Sequence, residues 1–244
     1  MSAEQRVELC SDNAAAAWIR PRLMSFASGV GAILPPVFEA YARILHPARA
    51  RDGSPVPWEA VAAWSGGTVH ALAQWVPMAH GRGASLSARP FQVPPSNRDF
   101  PPAMLTALCD LLARHTTTPD LCYFGVWEGY GWVPRDGSPV AKLEVENRAY
   151  LLLRGPISGV DQIGSWMGNH FQPQAPDLLW PADRSWFVAG DTDLDSTYVG
   201  GSTGLIGELL ADVRLEAWPV SATDPIDAGS DSVNRQWPPP RLER

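Results

Sequence analysis

Hydrophobic positions along this chain alternate between two spacings, and the change of spacing predicts its elements. In residues 102–115, opened by a proline, Met104, Leu105, Leu108, Leu111 and Leu112 recur three and four apart, the stripe of an amphipathic helix. Residues 203–211 read as a second helix. Residues 58–64, behind Pro57 and stopped by Gly66-Gly67, read as a short third. Residues 11–24 are also expected to be helical: Ser11, Asp12 and Asn13 offer an N-cap to an alanine-rich run, and Pro21 should kink or end it. Apolar and alternating runs predict strands at 41–46, 121–127, 148–153, 185–189, 197–199 and 214–220.

These elements mix without strict alternation, which predicts an α+β fold with a mixed or antiparallel sheet packed with a few helices. The strands at 121–127, 148–153, 185–189 and 214–220 should share one sheet, with helix 102–115 laid over it through Leu105, Leu108 and Leu112. Residues 1–220 are expected to form one globular domain, with a possible loop boundary near the polar, proline-broken stretch 81–101. Residues 221–244 read as a polar, proline-rich tail that frays.

Composition sharpens this picture at three points. Apolar residues make up 45% of the chain and charged residues only 18%, with 24 prolines, so much of the backbone should be irregular. The net charge is −7 and no basic cluster stands out, which argues against a nucleic-acid-binding face. Cys10, Cys109 and Cys122 are few and lack zinc-like spacing, which predicts a reducing, cytoplasmic setting. The opening MSAEQRVELC has neither the basic nor the apolar part of a signal peptide, and no apolar run reaches membrane-spanning length.

Three stretches could carry chemistry. The first holds Asp191, Asp193 and Asp195. In an extended backbone these carboxylates would share one face and repel, which a divalent cation would relieve. The opening D-x-D-x-D resembles a calcium loop, yet Ser196 stands where such a loop needs glycine and Ser202 where it needs a bidentate glutamate. No metal and no cofactor are therefore expected.

The second, Gly200 to Gly204, matches G-x-S-x-G between a strand and a helix. The last histidine, His170, precedes Ser202, against the usual chain order of that hydrolase motif. The simpler expectation is that Ser202 caps the helix at a turn where glycine permits positive φ and close packing, so that Ser202→Asp would be tolerated. An anion at the helix start is a third possibility.

The third stretch is the aromatic run containing Trp127, Glu128, Tyr130 and Trp132. A glutamate framed by aromatic rings could act as a general acid or bind a flat ligand. Otherwise it belongs to a core strand with the acid turned to water.

The blocks FEAYARILHP, CYFGVWEGYG, LLWPADRSWFVA and DLDSTYVGGS together resemble an uncharacterised bacterial protein family, across about residues 34–220. That resemblance implies a bacterial, intracellular, single-domain protein and assigns it no activity. The stretch Ile33 to Tyr41 is similar to a helix entry in the SUKH superfamily of immunity proteins. The Asn/Gly-rich continuation of that superfamily is replaced here by His46-Pro-Ala-Arg.

Two functional readings follow. In the first the protein is a cytoplasmic binding module without catalysis, of immunity or inhibitor type. Its 11 tryptophans would supply interface anchors, and its acidity would suit a basic protein partner. In the second it is a small-molecule hydrolase or metal-dependent enzyme, with Glu128 and the Asp191, Asp193, Asp195 set facing one cleft. Oligomeric state is not legible in the sequence.

Overall fold

Alternation along the predicted strands resolves into one antiparallel sheet with two differently covered faces. The computed structural model describes residues 6–25, 29–80, 88–96, 100–131, 140–145, 148–167 and 169–234. The strands are β1 (Glu8–Leu9), β2 (Ala40–Leu45), β3 (Ala48–Arg49), β4 (Pro55–Val56), β5 (Cys122–Trp127), β6 (Lys142–Val145), β7 (Arg148–Gly155), β8 (Gly164–Met167), β9 (His170–Pro173), β10 (Leu178–Pro181), β11 (Phe187–Ala189), β12 (Ser196–Gly201) and β13 (Ala217–Val220). The helices are α1 (Trp58–Ser65), α2 (Trp75–Ala79), α3 (Pro102–Arg114) and α4 (Thr203–Ala211). The nine-stranded sheet runs β1-β7-β5-β10-β11-β12-β2-β13, with β6 also on β7, and every pairing is antiparallel. The fold is therefore α+β. All four strands expected to share a sheet lie in it.

β7 shares one edge between two partners. β6 pairs with Arg148 to Leu151, and β1 pairs with Leu153 and Arg154. Between them Cys10 N donates to Leu152 O, Leu152 N to Ala141 O and Ala141 N to Cys10 O. The N-terminal segment is thus stitched into the sheet beside a strand some 145 positions away in sequence.

Side chains leave each strand alternately to the two faces. On the first face Ala42, Ile44, Phe124, Val126, Leu151, Leu179, Val188 and Val199 meet α3 and α4. Leu108, Leu111 and Leu112 of α3 are buried there, and Leu105 packs at the margin. Each such leucine contributes roughly 1.5–3 kcal/mol by leaving water. On the second face Tyr41, Tyr150, Leu152, Leu178, Trp180, Phe187 and Tyr198 are roofed by Trp18, Ile19, Val30 and Leu34 rather than by a helix. A third cluster, around Leu45, Trp58, Trp75 and Phe91, holds α1 and α2 at one end.

Four expectations need correction. Residues 11–24 form two 3-10 turns, Ala14–Ala16 and Arg20–Arg22, not an α-helix. Pro21 lacks the N–H and clashes one turn back, and the few residues before it are too short a run to sustain a helix. The cap is made by Asp12, whose carboxylate accepts from Ala14 N. Gly200 and Gly201 belong to β12, and neither has a positive φ. Gly200 is required for a different reason: a Cβ there would lie 2.6 Å from Phe38 Cδ2 and 2.8 Å from Leu34 Cδ2.

The polar tail does not fray where it is described. Ala222 O and Asp224 O accept from Gly31 N and Val30 N, and buried Asp231 accepts from His70 Nε2 and Gln74 N. Residues 235–244 lie outside the described residues. Finally, within the stretch 81–101, Phe91 is buried in the third cluster and exposed Val93 bridges Arg49, so Phe91 ties this part of the stretch to the core rather than leaving it a boundary.

Ser202 caps α4, its Oγ accepting from Leu205 N at 3.2 Å. The Glu39 carboxylate accepts from Thr203 N at 3.0 Å, so the helix start already carries an anion from the protein itself. Ser202→Ala should lower unfolding free energy by about 1 kcal/mol. Ser202→Asn should match the wild type, and Ser202→Asp should fall below Asn because a second carboxylate meets Glu39. Denaturant titration of the three variants checks this ranking.

A second prediction concerns Asp183, in the turn between β10 and β11. Burial alone would raise its pKa, but bonds from Thr117 N and Oγ1, Ser185 N and Thr116 Oγ1 outweigh it and hold the carboxyl at about 2, below its ordinary 3.8. A depressed carboxyl stabilises the fold above its unfolded pKa, and the contribution fades as pH falls through the folded value. Asp183→Ala should therefore lower Tm at neutral pH, and its deficit against the wild type should shrink between about pH 4 and pH 2. Paired thermal melts across that window measure it.

Candidate functional site

The aromatic stretch at the end of β5 is organised by an aspartate that lies far away in sequence. After Trp127 the chain makes a 3-10 turn, Glu128–Tyr130, closed by Gly131 at φ 73° in the left-handed region. Gly129 leaves room for the Trp127 ring, which a Cβ would overlap. That ring meets Tyr130 edge-on, with centroids 5.3 Å apart. Asp177, buried just before β10, accepts from Trp127 N at 2.8 Å and from Tyr130 Oη at 3.0 Å. Its own backbone joins Gly125 O to Gly190 N. The buried carboxylate of Asp177 therefore fixes the turn, and its backbone ties the turn to the loop after β11.

Arg148, the first residue of β7, fills the space next to this turn. Its guanidinium carbon lies 5.4 Å from the Trp127 ring centre. Nε and Nη2 reach the two Asp191 oxygens at 2.7 and 2.8 Å, a bidentate pair, and Nη2 also reaches Asp193. Burial would lower the Arg148 pKa, but Asp191 and Asp193 outweigh it and raise it.

The three aspartates do not share a face. Residues 191–195 form a turn, with Asp193 N donating to Asp191 Oδ1 and Leu194 N to Asp191 O. Asp195 points instead to Arg43, at 3.2 Å. Their mutual repulsion is thus relieved by two arginines. No group of three or more metal-ligating side chains occurs among the described residues.

The other candidates divide in the same way. Glu128 is bonded through both oxygens to Lys142 Nζ, at 2.8 and 2.9 Å. Ser202 serves as the cap of α4. Near it His115 Nε2 contacts Glu208 Oε1 at 3.2 Å, so this histidine does more than complement the dipole of α3. Trp132 lies outside the described residues. Among the described residues, five of the tryptophans expected as interface anchors, Trp18, Trp58, Trp75, Trp180 and Trp186, are instead buried in the core.

Between the second face of the sheet and its irregular roof lies a cavity of about 500 Å³. Leu178 and Phe187 form its floor, Ile19, Leu23 and Ile33 its roof, and Arg148, Tyr150, Asp191 and Asp227 its polar side. Of the sequence candidates among the described residues, only Asp191 lines it; Glu128 and Asp193 do not. The arrangement can hold a mainly apolar molecule and address one polar group on it.

Sequence reasoning missed Arg43, Arg148, Tyr150 and Asp177. A signal for the arginines was present, since each stands in a mainly apolar strand, AYARIL and RAYLLLRG, where a cation must find a carboxylate. Among the described residues no helix is long and apolar enough to cross a membrane. No protein-family model, no curated protein and no solved structure matches this chain.

Proposed function

We propose that this protein is a non-catalytic binding module of the bacterial cytoplasm that holds a small, mainly apolar molecule in the cavity between its sheet and its N-terminal roof. The observation that carries this reading is a contrast. The acids suggested as catalysts are bonded to Lys142, Arg148 or Arg43 and Ser202 caps a helix, whereas the cavity of about 500 Å³ is apolar over most of its wall. Its size lies within the ~300–1,000 Å³ range of small-ligand pockets. Three buried, unpaired cysteines support a reducing compartment, with burial pushing Cys10 up to about 11 and Cys109 and Cys122 up to about 12. The net charge of −7 favours a basic protein over nucleic acid as any partner of the outer surface.

A neutral fluorescent dye, N-phenyl-1-naphthylamine, tests the reading. It should bind with a stoichiometry of one. Ile33→Trp and Leu23→Trp, which add bulk from the roof, should each abolish binding while keeping the cooperative thermal transition. A serine-reactive fluorophosphonate should leave Ser202 unlabelled. Absence of dye binding, or binding indifferent to both substitutions, would overturn the cavity reading. Stoichiometric labelling of Ser202 would replace it with the hydrolase reading.

A further inference from the structure

The polar side of the cavity carries more negative than positive charge. Among its lining residues the carboxylates of Asp191 and Asp227 stand against the single guanidinium of Arg148, which Asp191 shares with Asp193 outside the cavity, so the wall carries one negative charge in excess. The side chain of Asp191 is 14% exposed and that of Arg148 24%, so water screens this end of the cavity only in part.

Tyr150 supplies a second, independent observation. It lines the cavity and is 5% exposed, yet its hydroxyl has no hydrogen-bond partner among the described residues. The fully buried side-chain polar atoms lacking a partner, among the described residues, are Trp18 Nε1 and Ser185 Oγ. The Tyr150 oxygen is therefore not fully enclosed, and Tyr150 is part of the cavity wall. Buried hydroxyls are otherwise hydrogen-bonded, so an unpartnered one facing a cavity marks a place for a ligand atom. Burial, reinforced by Asp191 and Asp177, raises its pKa, so the phenol stays neutral and keeps its oxygen lone pairs available to a donor.

We propose that the cavity binds an organic cation: a protonated amine on an apolar body, its N–H groups donating to Tyr150 Oη and to the carboxylates of Asp191 and Asp227, its body lying against Phe187, Leu178 and Ile33. This rests on the binding-module reading and names the ligand class for the same site. The aromatic rings of Tyr150 and Phe187 suit such a ligand, because a π-face attracts a cation while an aliphatic chain packs on it. An apolar cavity of roughly 150 Å³ takes a benzene, so this volume accommodates a body about three times larger.

Three probes matched in shape and differing in charge decide the matter: 4-phenylbutylammonium, neutral 4-phenyl-1-butanol and 4-phenylbutyrate, titrated calorimetrically and by displacement of N-phenyl-1-naphthylamine. The ammonium should bind at least tenfold more tightly than the alcohol, and the carboxylate more weakly than either. Tyr150→Phe should weaken the ammonium about fivefold more than it weakens the neutral dye. Asp227→Asn, at an exposed position, should weaken the ammonium and flatten its salt dependence. Equal binding of all three probes, tighter binding of the carboxylate, or an ammonium affinity unaffected by both substitutions overturns the cation proposal and leaves the cavity reading standing. Failure of the neutral dye to bind the wild type defeats the cavity reading, and this proposal with it.

Discussion

A guanidinium buried one strand in from the edge of the sheet sets the terms for its surroundings. Arg43 lies in β2 between β12 and β13 and is 2% exposed. Removing such a charge from water costs several kcal/mol unless partners replace the water. Four of its five N–H groups find them: Nε donates to Ser196 Oγ, Nη1 to Ala71 O and Ala73 O, and Nη2 to Asp195. The Trp58 ring covers the guanidinium, its centre 5.6 Å from the guanidinium carbon. The loop before α2, the turn into β12 and the start of α1 are therefore held around one cation. The same ring anchors the end cluster through its Nε1, which donates to His46 O at 2.7 Å. Glu216 completes the attachment by accepting from Trp58 N and Glu59 N at the start of α1, where Pro57 has no side-chain oxygen to offer.

Much of the fold was legible because it depends on local periodicity. The leucines of 102–115, the helix after Ser202 and the apolar strands each state their buried face within a few residues. The alanine-rich start was misread for the same reason: helix propensity is local, while the packing of Trp18 and Ile19 against the sheet is not. The region after Val220 was misread because its polar side chains fold back. Asp231 also accepts from Asn234 N and Nδ2, and this compact knot has no apolar signature.

The candidate site was legible in its parts and hidden in its joins. Trp127, Tyr130 and Asp191 drew notice by type, and they do stand together. What joins them is Asp177, about fifty positions beyond Trp127, and Arg148, about forty before Asp191. Spacing within a motif cannot report such pairings, which arise from strand order. The reading of three aspartates on one face failed because it assumed an extended backbone. A carboxylate accepting from the N–H two residues on makes a turn instead, and the acids diverge.

The shared edge of β7 has a bearing on how the molecule is made. The roof of the cavity leaves the ribosome well before its seat in the sheet, which includes Leu152 and Leu153. At ordinary synthesis rates that interval is roughly seven to thirty seconds. Throughout it Trp18, Ile19 and Leu34 have no sheet to cover them. The nascent segment must be shielded by a chaperone or by transient collapse, and the pocket becomes complete only after the seam with β7 has closed.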